Sequence, residues 1–535
     1  MQQPHVSRCC LAVLTVIAVL TGLEHRLDGA EPASVVHGRD WASVQLDIRQ
    51  LARAEQVARA WLGTVAKLQR GGGWRLKYKG PWSRAARKTV TQTKTGLTIV
   101  DNRKPYSTAF TAMQFVYAWE TFGEQAHLDV ALKTASLYLK AQDDQGWWMH
   151  TILVNDGGQP VVPEDKRVSW RKSTAMIQDH VQTGVITLLV YLHRITEKKR
   201  FLEAARRAAD LLVRAQNPNG SWSHHWNAID RRGDSDGGSP HGSEINDGAT
   251  TQSMTTLLMM FHITGDRRYL AAVRRGGEWL LEAQLPAPTW GWASQYDREN
   301  RPIWARSFEP PAVDDGSGNT YALRGMEFMY QLTGQTRYLD AGIRCVDGLK
   351  QAAARDPEGI LWNYYDPKTG RPVMAAKRDG KRVMRFLDTD LEARKLAKTL
   401  SGWLGGPRSL KGVGSEPRRR SLEAARRSTP QCLLRRSPGF PEPSQQADRV
   451  RTDSKRIDRA IEYLAGRLAV ADGEWPVFGE TQIYVVLGAI RGARVAIGEI
   501  DARTMKTRIN DSAHAESHVW PITNRFDTPL KPKAP

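Results

Sequence analysis

Tryptophan residues recur along this chain at a nearly constant interval, each at the end of a turn that follows an amphipathic segment. These landmarks are Trp74, Trp147, Trp222, Trp292, Trp362 and Trp475. The successive intervals between them are 73, 75, 70, 70 and 113 positions. A fixed period of this kind is the sequence signature of a repeat architecture, in which each unit buries its apolar face against the next. The chain is therefore predicted to contain six stacked units.

Each unit is predicted to be a pair of helices. In residues 198–215 the apolar side chains recur at i, i+3, i+4 and i+7, the pattern of an amphipathic helix. The preceding residues 183–195 are almost entirely apolar, and such a helix must be buried. Residues 46–69 supply an outer helix without an inner partner, whereas residues 481–500 supply an inner helix without an outer one. Since the two ends complete each other, we predict an all-α (α/α)6 toroid that closes on itself.

The long last interval indicates an insertion. It exceeds the interval before it by 43 positions, and residues 404–450 match that excess in size. This stretch is rich in Pro, Gly and Arg and has no apolar period, which is typical of disorder. We therefore predict a first part of the toroid at residues 31–403, a disordered basic insertion at 404–450, closing helices at 451–500 and a C-terminal tail at 501–535.

The N-terminus predicts export. Arg8 is followed by an apolar run over residues 9–23 and then by charged residues, which is the layout of a signal peptide. The run is too short to be a comfortable membrane span, and no later stretch is long and apolar enough to cross a bilayer. We interpret residues 1–30 as a signal peptide and expect the protein in the periplasm or secreted. The alternative is an uncleaved anchor.

The chain is strongly basic, with a formal net charge of +20. Residues 398–455 alone hold 13 Lys/Arg against 5 Asp/Glu, yet the remainder is still basic. This balance suits a protein that handles a polyanion, although nonspecific adhesion would also produce it. Beyond the N-terminal segment the cysteines are Cys345 and Cys432, too few for a disulfide framework and wrongly spaced for zinc.

Three loops place an aspartate just ahead of an inner helix: Asp101, Asp179 and Asp247. An aspartate in this position often caps the helix, which is the preferred interpretation for Asp101. Asp179 and Asp247 are candidate site residues when they are considered together with residues 290–313. This is a long irregular stretch, dense in Trp, Arg, Asp and Glu, between two regular helices. Loops of that kind are more often functional than accidental.

Several short segments carry a resemblance to a known family. NDGATTQ, WASQYD, WARSFEPPA and YYDPKTGRPV followed by RDG resemble the signatures of pectic acid lyases of polysaccharide lyase family 10. The resemblance spans about residues 175–385 and is most specific over 247–313. It implies an α/α-toroid core and cleavage of polygalacturonate by calcium-assisted β-elimination. The implied partner is an acidic polysaccharide and not a nucleic acid, and the oligomeric state stays open.

The resemblance also implies roles for individual residues. Asp179 and Asp247 are expected near calcium and the substrate carboxylates. Arg306 occupies the position of the proton-abstracting base, and Arg378 that of an arginine which grips a uronate carboxylate. An arginine base is chemically awkward because a free guanidinium holds its proton far above neutral pH. The base assignment therefore depends on the resemblance alone.

Three further residues are predicted to line the substrate groove, namely Gln295, Asp297 and Trp292. The chain also departs from the family pattern. The first acidic motif is QDHVQTG, Asn363 stands where the family has an arginine, and one residue is inserted before RDG. One substrate-binding charge is therefore missing.

The residue types fit the implied chemistry, and three other functions compete with it. Calcium can neutralise a uronate carboxylate and stabilise the developing enolate, and arginines complement a planar carboxylate. A glycoside or uronyl hydrolase would need two carboxylates flanking the bond, for which Asp247 with Asp297 or Glu309 could serve. A non-catalytic ring that binds acidic polysaccharide is another possibility. A triterpene cyclase is disfavoured because no Asp-x-Asp-Asp cluster is present.

Overall fold

The computed structural model describes most of the chain between residues 48 and 507. The described residues are 48–75, 77–80, 96–102, 108–161, 174–235, 238–408, 419–420, 422–423, 426, 454–469, 473–476, 481–501 and 504–507. The α-helices within them are α1 Ile48–Leu68, α2 Thr108–Phe122, α3 Gln125–Ala141, α4 Thr183–Thr196, α5 Lys199–Arg214, α6 Ala249–Thr264, α7 Arg267–Glu282, α8 Gly318–Thr333, α9 Arg337–Arg355, α10 Leu391–Thr399, α11 Ser454–Ala469 and α12 Thr481–Ala496. The predicted signal peptide, residues 1–30, lies outside these ranges.

Short strands line the connections between the helices. They are β1 Lys77–Gly80, β2 Thr98–Asp101, β3 Thr151–Val154, β4 Pro160–Val161, β5 Thr174–Met176, β6 His225–Asn227, β7 Arg232–Asp234, β8 Ser243–Glu244, β9 Gln295–Tyr296, β10 Val313–Asp314, β11 Leu361–Trp362, β12 Tyr364–Tyr365, β13 Pro372–Arg378, β14 Lys381–Phe386, β15 Pro407–Arg408 and β16 Gly473–Pro476. All of their pairings are antiparallel. Within the described ranges, no helix combines the length and the apolar character needed to cross a membrane.

The helices form consecutive hairpins, and the two ends of the chain close the ring. Inner helices α2, α4, α6 and α8 are each followed by an outer helix that packs against them. The N-terminal helix α1 packs on both α11 and α12, and α12 also packs on α2. Across this junction the Tyr484 hydroxyl donates to the Phe110 carbonyl at 3.0 Å, and Arg494 pairs with Glu55 at 2.7 Å. The predicted all-α toroid and its closure are confirmed.

A repeated glutamine ties each of the first four units to the next. Its side-chain N–H donates to a carbonyl of its own turn and to a carbonyl of the following outer helix. These pairs of acceptors are Gly72 and Val130 for Gln69, Gly146 and Ala204 for Gln142, Gly220 and Ala272 for Gln216, and Trp290 and Ala341 for Gln284. One amide thus satisfies two carbonyls in different units, which fixes the stacking distance between them.

The repeated tryptophan joins the end of one hairpin to the start of the next. Its indole N–H donates to a carbonyl near the end of the preceding outer helix, in the pairs Trp74–Val65, Trp148–Tyr138, Trp222–Leu212 and Trp292–Leu280. The second landmark is therefore Trp148, and the assignment of Trp147 is wrong. The corrected intervals up to Trp362 are 74, 74, 70 and 70 positions. Spacing alone does not distinguish the adjacent Trp147 and Trp148. In the structure it is the indole N–H of Trp148 that donates to the helix, at the Tyr138 carbonyl.

The insertion in the repeat lies earlier than predicted. Strand β11 pairs with β15, with Leu361 opposite Arg408 and Trp362 opposite Pro407. The chain therefore leaves the ring after Trp362 and returns to the same point at Pro407. The intervening residues 363–406 number 44, close to the excess of 43, and they hold the β13–β14 hairpin and α10.

Part of the stretch predicted to be disordered is packed on the ring. Leu422 is fully buried in the core, beside Gly342 of α9. Tyr330 of α8 donates its hydroxyl to the Arg426 carbonyl at 3.0 Å. The prediction of disorder over 404–450 is wrong for these residues. The overall composition of the stretch does not reveal that a single apolar side chain, Leu422, packs in the core of the ring. The rest of that stretch, apart from residues up to 408 and the few described above, lies outside the described residues.

The described residues of the predicted C-terminal tail pack at the far end of the ring. The Lys506 backbone N–H donates to Glu120 at 2.6 Å, and the Lys506 carbonyl accepts from Arg194 at 2.9 Å. Arg491 is fully buried, lies 3.4 Å from Glu120 and donates to the Thr507 carbonyl at 2.5 Å. These side chains lie toward the C-terminal ends of inner helices, opposite the loops that precede those helices.

Candidate active site

Two aspartate loops meet at the N-terminal ends of α4 and α6. The backbone N–H of Asp179 donates to the carbonyl of Asp247 at 3.4 Å. Both residues have left-handed backbones, with φ of 59° and 48°, which few non-glycine residues adopt and which often occur at functional sites. The capping positions of the two helices are Gln182 and Gly248, so neither aspartate occupies one.

Gln252 bridges these two loops. Its side-chain N–H donates to the Asp247 carbonyl at 2.8 Å, and its side-chain oxygen accepts the backbone N–H of His180 at 3.2 Å. Gly248 makes room for it, because a Cβ at that position would lie 2.1 Å from the Gln252 amide nitrogen. The relative position of the two aspartates is thus fixed through the first turns of α6.

Arg306 reaches this place from the long loop that precedes α8. Its Nη2 lies 3.5 Å from Oδ2 of Asp247 and also contacts Oε1 of Glu309. Its Nε donates to Oε2 of Glu309 at 2.8 Å. Asn246 donates its side-chain N–H to Glu309 at 3.1 Å from the other side. The structure therefore brings Arg306 and Asp247 together, and their predicted roles as base and calcium ligand stay predictions.

The charged side chains of this site differ in how far they are buried. The Glu309 side chain is 5% exposed, whereas that of Arg306 is 37% exposed. Burial raises the pKa of Glu309, and the contact with Arg306 opposes that rise. The nearby Tyr364 is also buried, and burial together with the charges of Asp314 and Glu309 raises its pKa well above the usual range. Arg306 and Asp247 are therefore the half-buried members of a cluster in which Glu309 and Tyr364 are buried.

Two of the three predicted groove residues are buried, so their assignment is wrong. Trp292 is fully buried and holds the ring through its bond to the Leu280 carbonyl. Gln295 is fully buried in β9 and donates to Glu244 at 3.1 Å. Core residues and groove residues can stand side by side in one motif, and the sequence pattern alone does not distinguish them.

Asp297 is half-buried and serves its own turn. Its Oδ1 accepts the backbone N–H groups of Glu299 and Arg301 at 3.0 and 2.9 Å, and its Oδ2 pairs with the Arg301 side chain at 2.7 Å. These bonds account for Asp297 without a substrate. Its predicted place in a groove stays untested.

The last two residues singled out in the sequence lie in the inserted segment. Arg378 is exposed at the tip of the β13–β14 hairpin, opposite Lys381. Asn363 is fully buried and donates to Asp314 at 3.1 Å. Arg378 is therefore accessible to a ligand, whereas Asn363 cannot touch a polysaccharide in this conformation.

The donor chemistry at the aspartate loops suits calcium but is incomplete. Calcium prefers six to eight oxygen ligands. Asp179 and Asp247 offer carboxylates, and Oδ1 of Asn246 is a buried amide oxygen without a hydrogen-bond partner in the described part of the chain. Among the described residues no group of three or more His, Cys, Asp or Glu is arranged to hold a metal ion. A calcium ion here would take its remaining ligands from water and from uronate carboxylates.

Two residues that build this site, Asn246 and Gln252, were not predicted from the sequence. Both belong to the NDGATTQ segment that was singled out for Asp247. The proximity of Asn246 to Asp247 was a usable signal. The sequence carries no signal for the bridge made by Gln252, because this bridge depends on a second loop about 70 residues away in the chain.

Comparisons with known proteins agree with the segment that carries the resemblance. Residues 223–302 match the family described as Pectic acid lyase, a span that includes Asp247 and ends before Arg306. No curated protein matches the chain.

Solved structures with a similar arrangement include several enzymes that act on sugars. A family 10 polysaccharide lyase from Cellvibrio cellulosa is 17% identical, with a TM-score of 0.36, over 56% of this chain and 93% of that one. A mutant of that lyase in complex with trigalacturonic acid is 16% identical, with a TM-score of 0.37, over 59% and 99%. A D-mannose isomerase is 15% identical, with a TM-score of 0.41, over 60% and 75%. At these values the structural likenesses carry no argument about the reaction.

Proposed function

We propose that this protein is an exported polysaccharide lyase that cleaves polygalacturonate-type uronans by calcium-assisted β-elimination. The observation that carries the proposal is the approach of Arg306 to Asp247, at 3.5 Å, beside the Asp179 loop. The two residues are 59 positions apart in the chain, and each lies in a segment that resembles pectic acid lyases.

The reaction breaks one C–O bond and one C–H bond. A base removes the proton alpha to the uronate carboxylate, and the electron pair of that C–H bond forms a carbon–carbon double bond. The bond to the glycosidic oxygen breaks, and that oxygen takes up a proton to become a new chain end. The proton is only weakly acidic, so the negative charge that develops on the carboxylate side must be stabilised.

We assign the proton transfer to Arg306. Its side chain is half-buried and more exposed than that of Glu309, which holds its Nε edge in a fixed direction. The pairing with Glu309 favours the charged guanidinium, whereas partial burial and a nearby divalent cation disfavour it. The base role is carried over from the resemblance, and the contact of Arg306 with Asp247 supports it.

Asp179 and Asp247 are proposed to hold calcium together with the uronate carboxylate. When bound there, calcium supplies positive charge that offsets the carboxylate and acidifies the adjacent C–H bond. Arg378, exposed on the hairpin, is proposed to bind a carboxylate of a neighbouring sugar. Arginine suits that contact because its planar fork matches a carboxylate.

A hydrolase is the second candidate. Burial raises the pKa of the Glu309 carboxyl, and a raised pKa is what a general acid requires. Against it, both oxygens of Glu309 already accept from Arg306. Its side chain is also almost completely buried. The lyase is therefore the better supported of the two.

The test is to incubate the purified protein with polygalacturonate and follow the ultraviolet absorbance of the unsaturated product, with and without a calcium chelator. We expect product that depends on calcium. New reducing ends without absorbance would indicate a hydrolase, and tight binding without turnover of any uronan would indicate a binding ring.

The matched variants are Arg306→Ala and Arg298→Ala. Arg298 lies in the same loop, is 70% exposed and pairs only with its neighbour Glu299 among the described contacts. We expect Arg306→Ala to lower kcat by about 10²- to 10⁴-fold, the range for loss of a general base. Unchanged turnover in this variant would remove Arg306 from the mechanism.

A further inference from the structure

The hairpin inserted at residues 363–406 touches the loop that carries Arg306. Arg382, on β14, donates its Nη1 to the carbonyl of Ala305 at 3.0 Å. Its guanidinium carbon lies 5.2 Å from the centroid of the Trp304 ring, within the range of a cation–π contact. Arg382 thus contacts Trp304 and Ala305, the two residues that directly precede Arg306.

Other bonds also hold the Arg306 loop: the Ile303 N–H donates to the Gln295 carbonyl at 3.2 Å, and Asn246 donates to the Glu309 side chain at 3.1 Å. The Ala305 N–H donates to the Glu309 carbonyl at 3.2 Å, and the Arg306 N–H donates to the Glu309 side chain at 3.2 Å. These bonds fix the shape of the turn. The bond from Asn246 holds the turn at Glu309, and a second anchor is available at Ala305, directly before Arg306.

The hairpin is well placed to be that anchor. Its sheet runs β10-β12-β13-β14, so it is continuous with β10, at the end of the same loop. Val313 pairs with Tyr365, and Asp314 pairs with Tyr364. The loop is therefore tied to the hairpin sheet at its end through β10 and near its middle through Arg382.

We propose that Arg382 is a positioning residue that holds the Arg306 loop in register with the aspartate loops. The inference depends on the proposed function for its catalytic consequence. A charge-assisted hydrogen bond to a backbone carbonyl suits this role, because it restrains the main chain beside Arg306 and not the Arg306 side chain itself. Loss of such a restraint affects turnover more than substrate affinity, since small misplacements of a reacting group are costly.

The experiment compares Arg382→Ala with Lys377→Ala. Lys377 is the cross-strand partner of Arg382 and is likewise exposed, so both changes remove one positive charge from the same place in the hairpin. We expect Arg382→Ala to lower kcat by about tenfold to a hundredfold with KM nearly unchanged, and Lys377→Ala to leave kcat unchanged. Arg382→Lys should recover part of kcat, because lysine retains a charged donor for the Ala305 carbonyl but lacks the planar face for Trp304.

A second readout is independent of activity. Hydrogen–deuterium exchange of a peptide covering residues 303–309 should increase in Arg382→Ala and stay unchanged in Lys377→Ala. Equal rises of KM in both variants would show that Arg382 only attracts the polyanion, and unchanged kcat and exchange in Arg382→Ala would also overturn the proposal. If the wild-type protein cleaves no uronan, the proposed function fails, and the exchange comparison still decides whether Arg382 anchors the loop.

Discussion

Glu309 holds the guanidinium of Arg306 along one edge, through Nε at 2.8 Å and through Nη2. A bidentate pair of this kind fixes the plane of the guanidinium as well as its position. Asn246 supports Glu309 from behind, by a hydrogen bond of 3.1 Å to the same carboxylate. The direction in which Arg306 faces the aspartate loops is thus set by two residues that are themselves buried.

The first prediction concerns this orientation. Glu309→Gln keeps the shape of the side chain but loses the charge and one of the two acceptors for Arg306. We expect kcat to fall by about 10- to 100-fold, with a smaller change in KM, because misplaced reacting groups affect turnover first. Steady-state kinetics on polygalacturonate measure both. Full activity in Glu309→Gln would show that the pair is only structural.

The second prediction concerns calcium. Since the described residues supply only part of a calcium shell, the protein alone should bind the ion weakly, with a Kd on the order of 10⁻³ M. Calorimetry on Arg306→Ala, which is expected to bind but not cleave, should show tighter calcium binding when trigalacturonate is added. Asp247→Asn should abolish this increase. Micromolar binding without any uronate would contradict the incomplete set of ligands.

The third prediction concerns pH. Burial raises the pKa of Asp315 from its usual value to about 7 in the folded protein. The unfolded chain releases this proton near pH 4 and the folded chain only near pH 7, so this group makes the free energy of unfolding fall as pH rises between those values. Asp315→Asn removes the effect, and its melting temperature relative to wild type should therefore increase from pH 4 to pH 8.

The control for this experiment is Asp144→Asn, at an exposed aspartate. Its difference from wild type should stay nearly constant over the same pH range. A constant difference for Asp315→Asn as well would mean that the pairing of Asp315 with Arg408, at 3.8 Å, offsets the burial.

The fourth prediction concerns the buried ion pair that attaches α10 of the inserted segment to the ring. Arg394 of α10 donates to both oxygens of Asp356 at 2.8 and 2.9 Å, and Trp362 donates its indole N–H to the same carboxylate at 2.8 Å. Arg394→Ala leaves a buried carboxylate without its cation and should lower the free energy of unfolding by about 3–5 kcal/mol in urea titrations. Lys398→Ala, which removes the exposed pair with Glu358, should lower the free energy of unfolding far less.

The fold could be predicted from the sequence because each unit repeats the same local pattern. A tryptophan at a nearly fixed interval and an apolar inner helix recur wherever the same packing problem recurs. The unpaired helices at residues 46–69 and 481–500 were enough to predict closure. Local periodicity records burial, and burial against a neighbouring unit is what defines this ring.

The limits of the insertion were decided by pairing between distant strands. Composition pointed to residues 404–450, whereas the pairing of Trp362 with Pro407 shows that the excursion is 363–406. Strand pairing of this kind leaves no periodic trace in so short a segment. The burial of Leu422 likewise depends on its packing beside Gly342 of α9, a contact that composition does not represent.

The sequence by itself determined the ring, the aspartates and the arginine as candidates, because their motifs are local. Only the tertiary structure decided which of them meet. It joined Arg306 to Asp247, moved Trp292 and Gln295 into the core, and added Asn246, Gln252 and Arg382. The physical reason is that a site on this ring is built from loops of different units, and their distances depend on how the helices stack.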